Sequence, residues 1–526
     1  MANKTLFAPA SSRLPAADAV NAAGGAAYRS DPRHALALYA ATGCLNGTFY
    51  ASAGRHLDTA LKLCDQVEPE FIARTALYAR REAHMKDLPA LLLAVLATRS
   101  PGLLAEAFDR VIDSPKMLRT FVQIVRSGVT GRRSLGSLPK RCVREWLAAR
   151  TDLQLFTGSI GRDPSLADVV KMVHPKPANP ERSATLAYLL GKSHDAALLP
   201  EPVRAFEAFK AATPAERESM GVPDVPFQVL TSLDLGTREW IAIARHAPWT
   251  TTRMNLNTFL RHGVFHDRRN ARLIADRLRD PELIARSRCF PYQLLAAYTH
   301  ASDDLPGEIR EALQDAMELA LRNVPVIRGR VHVLVDVSGS MSCPVTGHRS
   351  GSTTKMRCVD VAGLFAAAIL RKNPDATVMP FESKVVEKLR LNPRDTVMTN
   401  ATKLASVCGG GTNCSAPLAE LNRKKAAGDT VIYLSDNESW IDTRRKRWGN
   451  IPTETLKQWE LYRKRNPNAR LVCIDLVPGT TVQAPERPNV TNVGGFSDQV
   501  FKLVAAVAAG RGEANFWVSE IEKETI

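Results

Sequence analysis

The chain has few cysteines, and none of them forms a CxxC pair. Nine cysteines are scattered through 526 residues. An odd number at irregular spacing argues against a disulfide framework and against a zinc site built on cysteine. We therefore expect reduced thiols and a cytoplasmic location.

Long hydrophobic runs are also lacking. No apolar stretch reaches the roughly 20 residues that a membrane-spanning helix requires. The first residues, MANKTLFAPASSRLPAADAV, lack the continuous apolar core of a secretory signal. We expect no membrane partner, and we interpret residues 1–25 as a flexible leader.

Acidic residues are outnumbered by basic ones. The sequence has 70 Lys and Arg against 54 Asp and Glu, a formal net charge of +16. Such a surplus favours a polyanionic partner through electrostatic steering and counterion release. Nucleic acid is the first candidate, because no polybasic amphipathic helix suited to an anionic membrane stands out.

Two kinds of pattern divide the chain near residue 326. Within residues 26–325, segments such as FIARTALYARREAH space their apolar residues as short helices do, which predicts an all-α array of stacked helical pairs. No regular sequence period is apparent. Within residues 326–526, apolar strands such as VHVLVD and TVIYLSD alternate with helices. That alternation predicts an α/β domain with a doubly wound parallel sheet.

Oxygen-bearing side chains follow the predicted strands of this second domain. VHVLVDVSGSMS contains Asp336, Ser338 and Ser340, the glycine-rich CGGGTNCS contains Thr412, and VIYLSD ends in Asp436. Ligands of open parallel sheets lie beyond the carboxyl ends of the strands. Carboxylate and hydroxyl oxygens suit Mg²⁺, with Mn²⁺ as the alternative. The five residues therefore predict a divalent-metal site.

These loops also have simpler interpretations. Asp and Ser after a strand also act as turn or helix caps. A phosphate-binding Walker loop is rejected, because no GK[ST] follows GGGT and GSTTK fails the same test. His348 is a lone histidine in a polar loop, and we expect it to be solvated.

Residues 114–150 form the most polarised stretch. They hold nine bases against one acid, Glu145. Cations hold phosphates, and aromatic rings stack on unpaired bases. We interpret Phe121 and Trp146 as core residues and the basic stretch as a nucleic-acid surface. Its nine bases are Lys116, Arg119, Arg126, Arg132, Arg133, Lys140, Arg141, Arg144 and Arg150.

Two further basic segments stand out. KMVHPKPANPERS places Lys171, His174, Lys176 and Arg182 beside prolines, at the end of a predicted short helix. A lone histidine is more often structural, but its cationic neighbours favour phosphate or base contact. DTRRKRW, residues 442–448, either reaches the ligand of the Asp436 loop or is solvated.

Six sequence blocks are distributed from about residue 25 to 520: ATGCLNGTFYAS, VVKMVHPKPANPE, RCFPYQLLAAYTH, DVSGSMS, GGGTNCSAPLAE and LSDNESW. The five candidate metal ligands match the metal-ion-dependent adhesion site of a von Willebrand A domain. Together with the helical array, these blocks resemble the Ro/TROVE family of RNA-binding ring proteins in its bacterial form.

The resemblance implies a HEAT-like helical-repeat ring, the TROVE domain, closed by the A domain in a monomeric, non-catalytic protein. It implies small noncoding Y RNA on the basic outer surface and single-stranded 3′ ends of misfolded or immature RNA in a central hole. It also implies an RNA-tethered 3′ exoribonuclease of the polynucleotide phosphorylase type, acting in RNA quality control.

The resemblance also places the RNA contacts. His174 matches the family's RNA-contacting histidine, and Lys140 and Arg141 keep the charge of its basic helix. Ser137 stands where the family has an arginine, and Pro139 departs from the pattern. The expected RNA-binding residues are Arg126, Arg132, Arg133, Lys140, Arg141, Arg144, Lys171, His174 and Lys176.

Other functions stay open at this point. One is a metal-dependent protein-binding module that acts through the A domain. Another is a metal nuclease at Asp336, although the site has few carboxylates for two-metal chemistry. The sequence leaves undecided whether the metal is structural or grips a partner, and whether the ring is open or sealed.

Overall fold

The computed structural model describes residues 14–43, 45–287, 289–321, 324–348, 356–441, 451–497 and 499–526. It has the predicted architecture, a helical array followed by an α/β domain. The predicted boundary near residue 326 lies between the last helix of the array and the first strand of the main sheet.

The array consists of short helices, many of which begin at a proline. Pro32 opens the first of them, where its missing N–H is not needed, and the Asp31 side chain accepts a hydrogen bond from Arg33 N at 2.9 Å. The helices are α1 (Pro32–Thr42), α2 (Ala53–Asp65), α3 (Pro69–Arg81), α4 (Asp87–Arg99), α5 (Pro101–Val111), α6 (Pro115–Arg126), α7 (Ser137–Ala148), α8 (Asp152–Gly158), α9 (Leu166–Val173), α10 (Pro180–Leu189), α11 (Glu201–Ala211), α12 (Pro214–Arg217), α13 (Phe227–Leu230), α14 (Thr237–His246), α15 (Trp249–Met254), α16 (Leu256–Arg261), α17 (Arg268–Leu278), α18 (Pro281–Ser287), α19 (Pro291–Thr299) and α20 (Gly307–Ala320).

A repeat that the sequence does not display is visible in the arginine contacts. Helix ends leave carbonyl oxygens without intrahelical donors. Three arginines each donate to two such carbonyls 32 to 35 residues earlier: Arg99 to Cys64 and Val67, Arg182 to Leu147 and Arg150, and Arg277 to Ala244 and Arg245.

The α/β domain is built on a parallel sheet of five strands. The strands are β3 (Val331–Asp336), β4 (Thr377–Phe381), β5 (Thr430–Ser435), β6 (Arg470–Asp475) and β8 (Val490–Gly494). Their order in the sheet is β4-β3-β5-β6-β8. All six residues of β3, VHVLVD, are buried, as expected for a strand covered on both faces. The helices are α21 (Cys358–Lys372), α22 (Val397–Ala405), α23 (Ala416–Arg423), α24 (Glu454–Arg465), α25 (Gln499–Ala506) and α26 (Phe516–Glu522).

Residues 14–29 belong to the α/β domain, which corrects the expectation of a flexible leader for residues 14–25. Strands β1 (Ala19–Val20), β2 (Ala26–Arg29) and β7 (Thr481–Val482) form a small antiparallel sheet. Asn21 Nδ2 donates to Ser439 O at 2.7 Å. Gly25 passes so close that a Cβ would lie 1.9 Å from the same oxygen. Small residues allow this close approach. Residues 1–13 lie outside the described residues.

Both ends of the helical array contact the α/β domain. At the amino-terminal end, α26 packs on α1 and α3, and Arg33 Nη1 lies 2.7 Å from Glu522 Oε1. At the other end, α19 packs on α21 and α20 packs on α22. The Phe290 ring bridges the two ends, with its centroid 6.0 Å from that of His84 and 5.5 Å from that of Phe496. Because the α/β domain contacts both ends of the helical array, it closes the array, and we call this arrangement the closed circuit.

Among the described residues, no helix combines the length and the apolar character needed to cross a bilayer.

Candidate metal centre and nucleic-acid interface

The first loop of the candidate metal site is organised by Asp336 at the end of β3. This side chain is 0% exposed. Its Oδ1 accepts from Ser338 N at 2.9 Å, and its Oδ2 accepts from Ser435 Oγ at 2.6 Å. Ser435 ends the neighbouring strand β5, so the two strand ends are tied together directly. Sequence reasoning missed Ser435, although it directly precedes Asp436.

Backbone hydrogen bonds bring the three predicted loops together. Gly339 N donates to Gly410 O at 3.0 Å, and Trp440 N donates to Thr412 O at 3.1 Å. Within the site, the hydroxyls of Ser338 and Ser340 lie 3.2 Å apart. Ser340 also hydrogen-bonds to Asp436. The loops that carry the five predicted ligands therefore converge at one edge of the sheet.

The electrostatics of this edge suit a cation. Burial raises the pKa of Asp336, and burial together with the charge of Asp336 raises the pKa of Asp436 well above its usual range. In the part of the chain that the structure describes, the groups that act on these two carboxylates are hydroxyls, backbone N–H groups and other acids, with no cation among them. Two buried carboxylates that repel each other are stabilised by a shared positive charge. Asp336, Ser338, Ser340, Thr412 and Asp436 fit a divalent cation for this reason.

The donor set differs from a carboxylate-rich or histidine-rich metal site. No group of three or more His, Cys, Asp and Glu side chains suited to a metal ion occurs in the part of the chain that the structure describes. The predicted centre has two carboxylates and three hydroxyls, a set that suits hard cations such as Mg²⁺.

Tyr50, from the helical array, reaches the same edge of the sheet. The loop before it is fixed on the α/β domain, since His348 N donates to Gly47 O at 2.7 Å and Asn46 Nδ2 donates to Thr346 O at 2.8 Å. The Tyr50 hydroxyl hydrogen-bonds to Ser340. Burial and the nearby Asp436 raise the pKa of Tyr50, so the phenol stays protonated.

Sequence reasoning assigned Tyr50 no role, although NGTFYAS was part of a resembling block. His348, expected to be solvated, has an exposed side chain and a backbone that bridges the two parts of the molecule.

Glu438 is a further acid beside the centre that sequence reasoning missed. Burial raises its pKa to about 7. Its Oε2 accepts from Ala23 N at 3.1 Å, so the amino-terminal segment supplies the partner of this acid. The stretch 442–448, expected near the same loop, lies outside the described residues.

The predicted RNA-binding residues include a surface formed by α7 and the end of α9, which we call the α7–α9 surface. Its exposed side chains are Arg141, Lys171, His174 and Lys176. His174 ends α9 with φ at 50°, a left-handed conformation. Arg141 forms an ion pair with Glu145, with 3.7 Å between Arg141 Nε and Glu145 Oε1, and both side chains are more than half exposed.

The other predicted RNA-binding residues differ in their exposure, and two of them also donate hydrogen bonds to the ends of neighbouring helices. Arg126 and Arg133 are exposed, whereas Arg132 and Lys140 are half-buried. Arg132 Nη1 donates to Ala97 O at 2.7 Å at the end of α4. The exposed side chain of Arg144 donates to Val173 O at the end of α9. Arg132 and Arg144 therefore also hold helices together.

The interpretation of the two aromatic residues as core is confirmed. Phe121 is 0% exposed and Trp146 is 1% exposed. Pro139 does not interrupt the basic helix, because Ser137 begins α7 and the proline falls in its first turn. Arg182 is occupied with Asp152, with its Nε donating to Oδ1, and with helix-end carbonyls.

Residues 330–508 match the family model described as the Ro60 vWA domain. The chain is 26% identical over 542 residues to a Deinococcus radiodurans protein named RNA-binding protein RO60, covering 95% of this chain and 97% of that protein. The chain is thus similar to a Ro protein along nearly its whole length. A Caenorhabditis elegans protein of the same name is 23% identical over 282 residues, 50% of this chain and 40% of that protein.

The Ro fold itself is shared. The crystal structure of the Deinococcus radiodurans RO (RSR) protein superposes with a TM-score of 0.61 at 22% sequence identity. The match covers 91% of this chain and 100% of that one. The predicted fold class, a helical array followed by a von Willebrand A-type sheet, is confirmed.

Proposed function

We propose that this protein is a non-catalytic RNA-binding scaffold of the Ro type. It binds a Y-type small noncoding RNA on its basic outer surface and single-stranded 3′ ends of misfolded or immature RNA in a central hole. A 3′ exoribonuclease of the polynucleotide phosphorylase type, tethered through the RNA, then acts on those ends. The observation that carries the proposal is similarity along 95% of the chain to a protein named for RNA binding.

The α7–α9 surface supplies the chemistry that such binding needs. Phosphate contacts fix the position of an RNA and make its affinity salt-dependent. Lys171, His174 and Lys176 follow one another around the end of α9, and Arg141 lies on α7, which packs against α9. A duplex or a stem can therefore be held by several cations at once.

For the metal centre we propose a structural role for a bound Mg²⁺, with Mn²⁺ as the substitute. Asp336, Ser338, Ser340, Thr412 and Asp436 would hold the ion. When bound, the ion neutralises the two buried carboxylates and ties together the three loops. The Tyr50 hydroxyl beside Ser340 favours this role over capture of a partner's carboxylate, because it approaches the centre from within the same chain.

The RNA-binding proposal is tested with the triple variant Lys140→Ala/Arg141→Ala/His174→Ala. A fluorescently labelled structured RNA is titrated at several salt concentrations. We expect weaker binding and a salt slope lower by about 1 to 2, since each lost phosphate contact removes about 0.9 from the slope. The control is Arg423→Ala/Lys424→Ala in the α/β domain, where both cations are exposed.

An unchanged affinity and an unchanged salt slope in the triple variant would remove the α7–α9 surface from the proposal. The alternative, a metal-dependent protein-binding module, predicts a different result. A protein partner would then stay bound after RNase treatment and in the triple variant, and chelation of the metal would release it.

A further inference from the structure

A cleft of about 470 Å³ is lined by part of the basic stretch 114–150, by residues that do not belong to the α7–α9 surface. We call it the Arg119 cleft. Its walls come from the start of α6, from the residues that follow α7 and from α8. Gly158 at the end of α8 packs against Pro115 so closely that a Cβ would lie 2.6 Å from Pro115 Cγ. The wall between these helices is therefore tightly closed.

The cleft is lined by cations without matching acids. Lys116, Arg119 and Arg150 all line it. Asp113 is the one carboxylate among its lining residues, and its Oδ2 accepts from Arg80 Nε at 2.9 Å and Nη2 at 2.5 Å. Because Asp113 is occupied by Arg80, the three cations keep a net positive field in the cleft.

Arg119 is the most unusual of these cations. Its Nε and Nη1 are buried, and neither has a hydrogen-bond partner among the described residues. Burial alone lowers the pKa of this guanidinium. The side chain as a whole is only partly buried, but buried guanidinium N–H groups without an acceptor are costly and are usually paired. The positive charge is left for something that enters the cleft.

The chain makes room for the guanidinium at Gly161. A Cβ at this position would lie 2.3 Å from Arg119 Nη1 and 2.6 Å from Nη2. The φ of Gly161, +116°, is itself one that side-chain-bearing residues rarely adopt. The loop after α8 therefore accepts Arg119 at the edge of the cleft without offering it a carboxylate.

Arg150 adds a flat surface to the same cleft. Its guanidinium carbon lies 4.2 Å from the centroid of a Trp146 ring, and the indole is buried beneath it. An arginine plane held in this way can stack on a base. The start of α6 adds the positive end of its helix dipole, since α6 begins at Pro115 after the cap Ser114.

We propose that the Arg119 cleft binds a nucleotide, with its phosphate beside Arg119 and Lys116 and its base against Arg150. The inference deepens the proposed RNA-binding function and rests on it. The same chemistry has two sources, a nucleotide within a single RNA strand and a free mononucleotide. The cleft thus differs from the α7–α9 surface in its role. Its residues Arg119, Arg150 and Trp146 surround a single nucleotide, whereas the α7–α9 surface contacts phosphates on the outside of the protein.

The test uses the full-length protein and its Arg119→Gln variant. Three probes are titrated at fixed salt: octa-adenylate, adenosine 5′-monophosphate and adenosine, which lacks the phosphate. We expect at least a tenfold loss of affinity in Arg119→Gln for a phosphate-bearing probe, and no response to adenosine in either protein. The charge-matched control is Arg286→Gln, whose side chain is 74% exposed and lies outside the cleft.

A second readout separates ligand binding from a structural role. Since Arg119 lacks a counter-ion, the ligand-free Arg119→Gln variant is expected to unfold at the same temperature as the wild type or higher. Loss of affinity for the monophosphate assigns the cleft to free nucleotides as well as RNA, and loss for octa-adenylate alone assigns it to RNA strands. Arg150→Ala removes the stacking plane and is expected to lower the affinity for the same probe.

Equal affinities in wild type, Arg119→Gln and Arg150→Ala would overturn the cleft as a nucleotide site. So would a lower unfolding temperature in Arg119→Gln together with unchanged binding. These results leave the proposed function intact if structured RNA still binds. A wild-type protein that binds no structured RNA at all contradicts the proposed function instead.

Discussion

Trp517 Nε1 donates a hydrogen bond to the Tyr78 hydroxyl at 3.0 Å, in a buried environment. The two residues are 439 positions apart, with Tyr78 on α3 and Trp517 on the last helix, α26. His34 on α1 meets the same indole edge-on, with 5.4 Å between ring centroids. One side chain of α26 thus joins the end of the α/β domain to the start of the helical array.

The closed circuit is predicted to depend on this indole. Trp517→Ala should lower the free energy of unfolding by about 3–5 kcal/mol, since the truncation leaves a cavity at a buried site. Trp517→Phe keeps most of the volume and should lose only about 1 kcal/mol, for the hydrogen bond. Denaturant unfolding measures both changes. Small-angle scattering should show an increased radius of gyration for Trp517→Ala if α26 leaves α1 and α3.

A double-mutant cycle checks the hydrogen bond itself. Tyr78→Phe removes the acceptor, and the pair Trp517→Phe/Tyr78→Phe should cost less than the sum of the two single changes. Strict additivity would mean that the hydrogen bond contributes nothing to closure.

For the candidate metal site, the sequence could predict the positions that follow from local pattern. A strand such as VHVLVD is buried along its whole length, and parallel strands place their carboxyl ends at one edge. Asp336 and Asp436 were predictable for this reason. Tyr50 was not, because its contact with Ser340 depends on how a distant loop docks against residues 346–348. No periodicity in the chain encodes that docking.

The basic stretch shows a second limit of sequence reasoning. A count of charges gives Arg132 and Arg133 the same role, because the sequence does not show which carbonyl oxygens lie near each of them. In the fold, Arg132 donates to Ala97 O while Arg133 is exposed. The defined structure of residues 14–25 was missed for a related reason. Small residues are typical of flexible segments, but here they allow the backbone to pack against Ser439.

Magnesium is predicted to stabilise the fold through the metal centre. At a free concentration one hundred times its dissociation constant, an ion that binds only the folded state adds about 2.7 kcal/mol. Asp436→Asn should abolish this gain. It should also raise the stability of the metal-free protein, because it removes one of two buried, mutually repelling carboxylates. Thermal unfolding with and without Mg²⁺ measures both effects.

Asp303→Asn serves as the control for that measurement, since the Asp303 side chain is 100% exposed. It should keep the full response to Mg²⁺. If neither the wild type nor Asp436→Asn responds to Mg²⁺ or Mn²⁺, the five oxygens are not a metal site.

Arg132 and Arg133 are predicted to have separable effects. Arg132→Ala leaves Ala97 O at the end of α4 without this donor and should lower stability by about 1–2 kcal/mol. Arg133→Ala should stay within about 0.5 kcal/mol of the wild type, as exposed substitutions usually do. For RNA binding the order reverses: only Arg133→Ala should reduce affinity and salt slope. An equal loss of RNA affinity in both variants would show that Arg132 gives up its hydrogen bond to Ala97 O and contacts the RNA.

The stability of the α/β domain is predicted to depend on the protonation of Glu486. Burial raises the pKa of this carboxyl from the usual 4.5 to about 7. Its oxygens accept from Asn492 Nδ2 at 2.8 Å and from Asn515 N at 3.3 Å, which ties β8 to the residue that caps α26. The folded state therefore keeps a proton that the unfolded chain releases at lower pH.

The sign of the effect follows from linkage. Between pH 4.5 and about 7 the unfolded chain loses the proton first, so wild-type stability should fall as the pH rises through this window and level off above it. Glu486→Gln cannot ionise. It should match the wild type near pH 4.5 and exceed it by about 1–3 kcal/mol at pH 8. Denaturant unfolding across this range, with the exposed Glu282→Gln as control, measures the difference. A difference between wild type and Glu486→Gln that does not change with pH would contradict a raised pKa at this site.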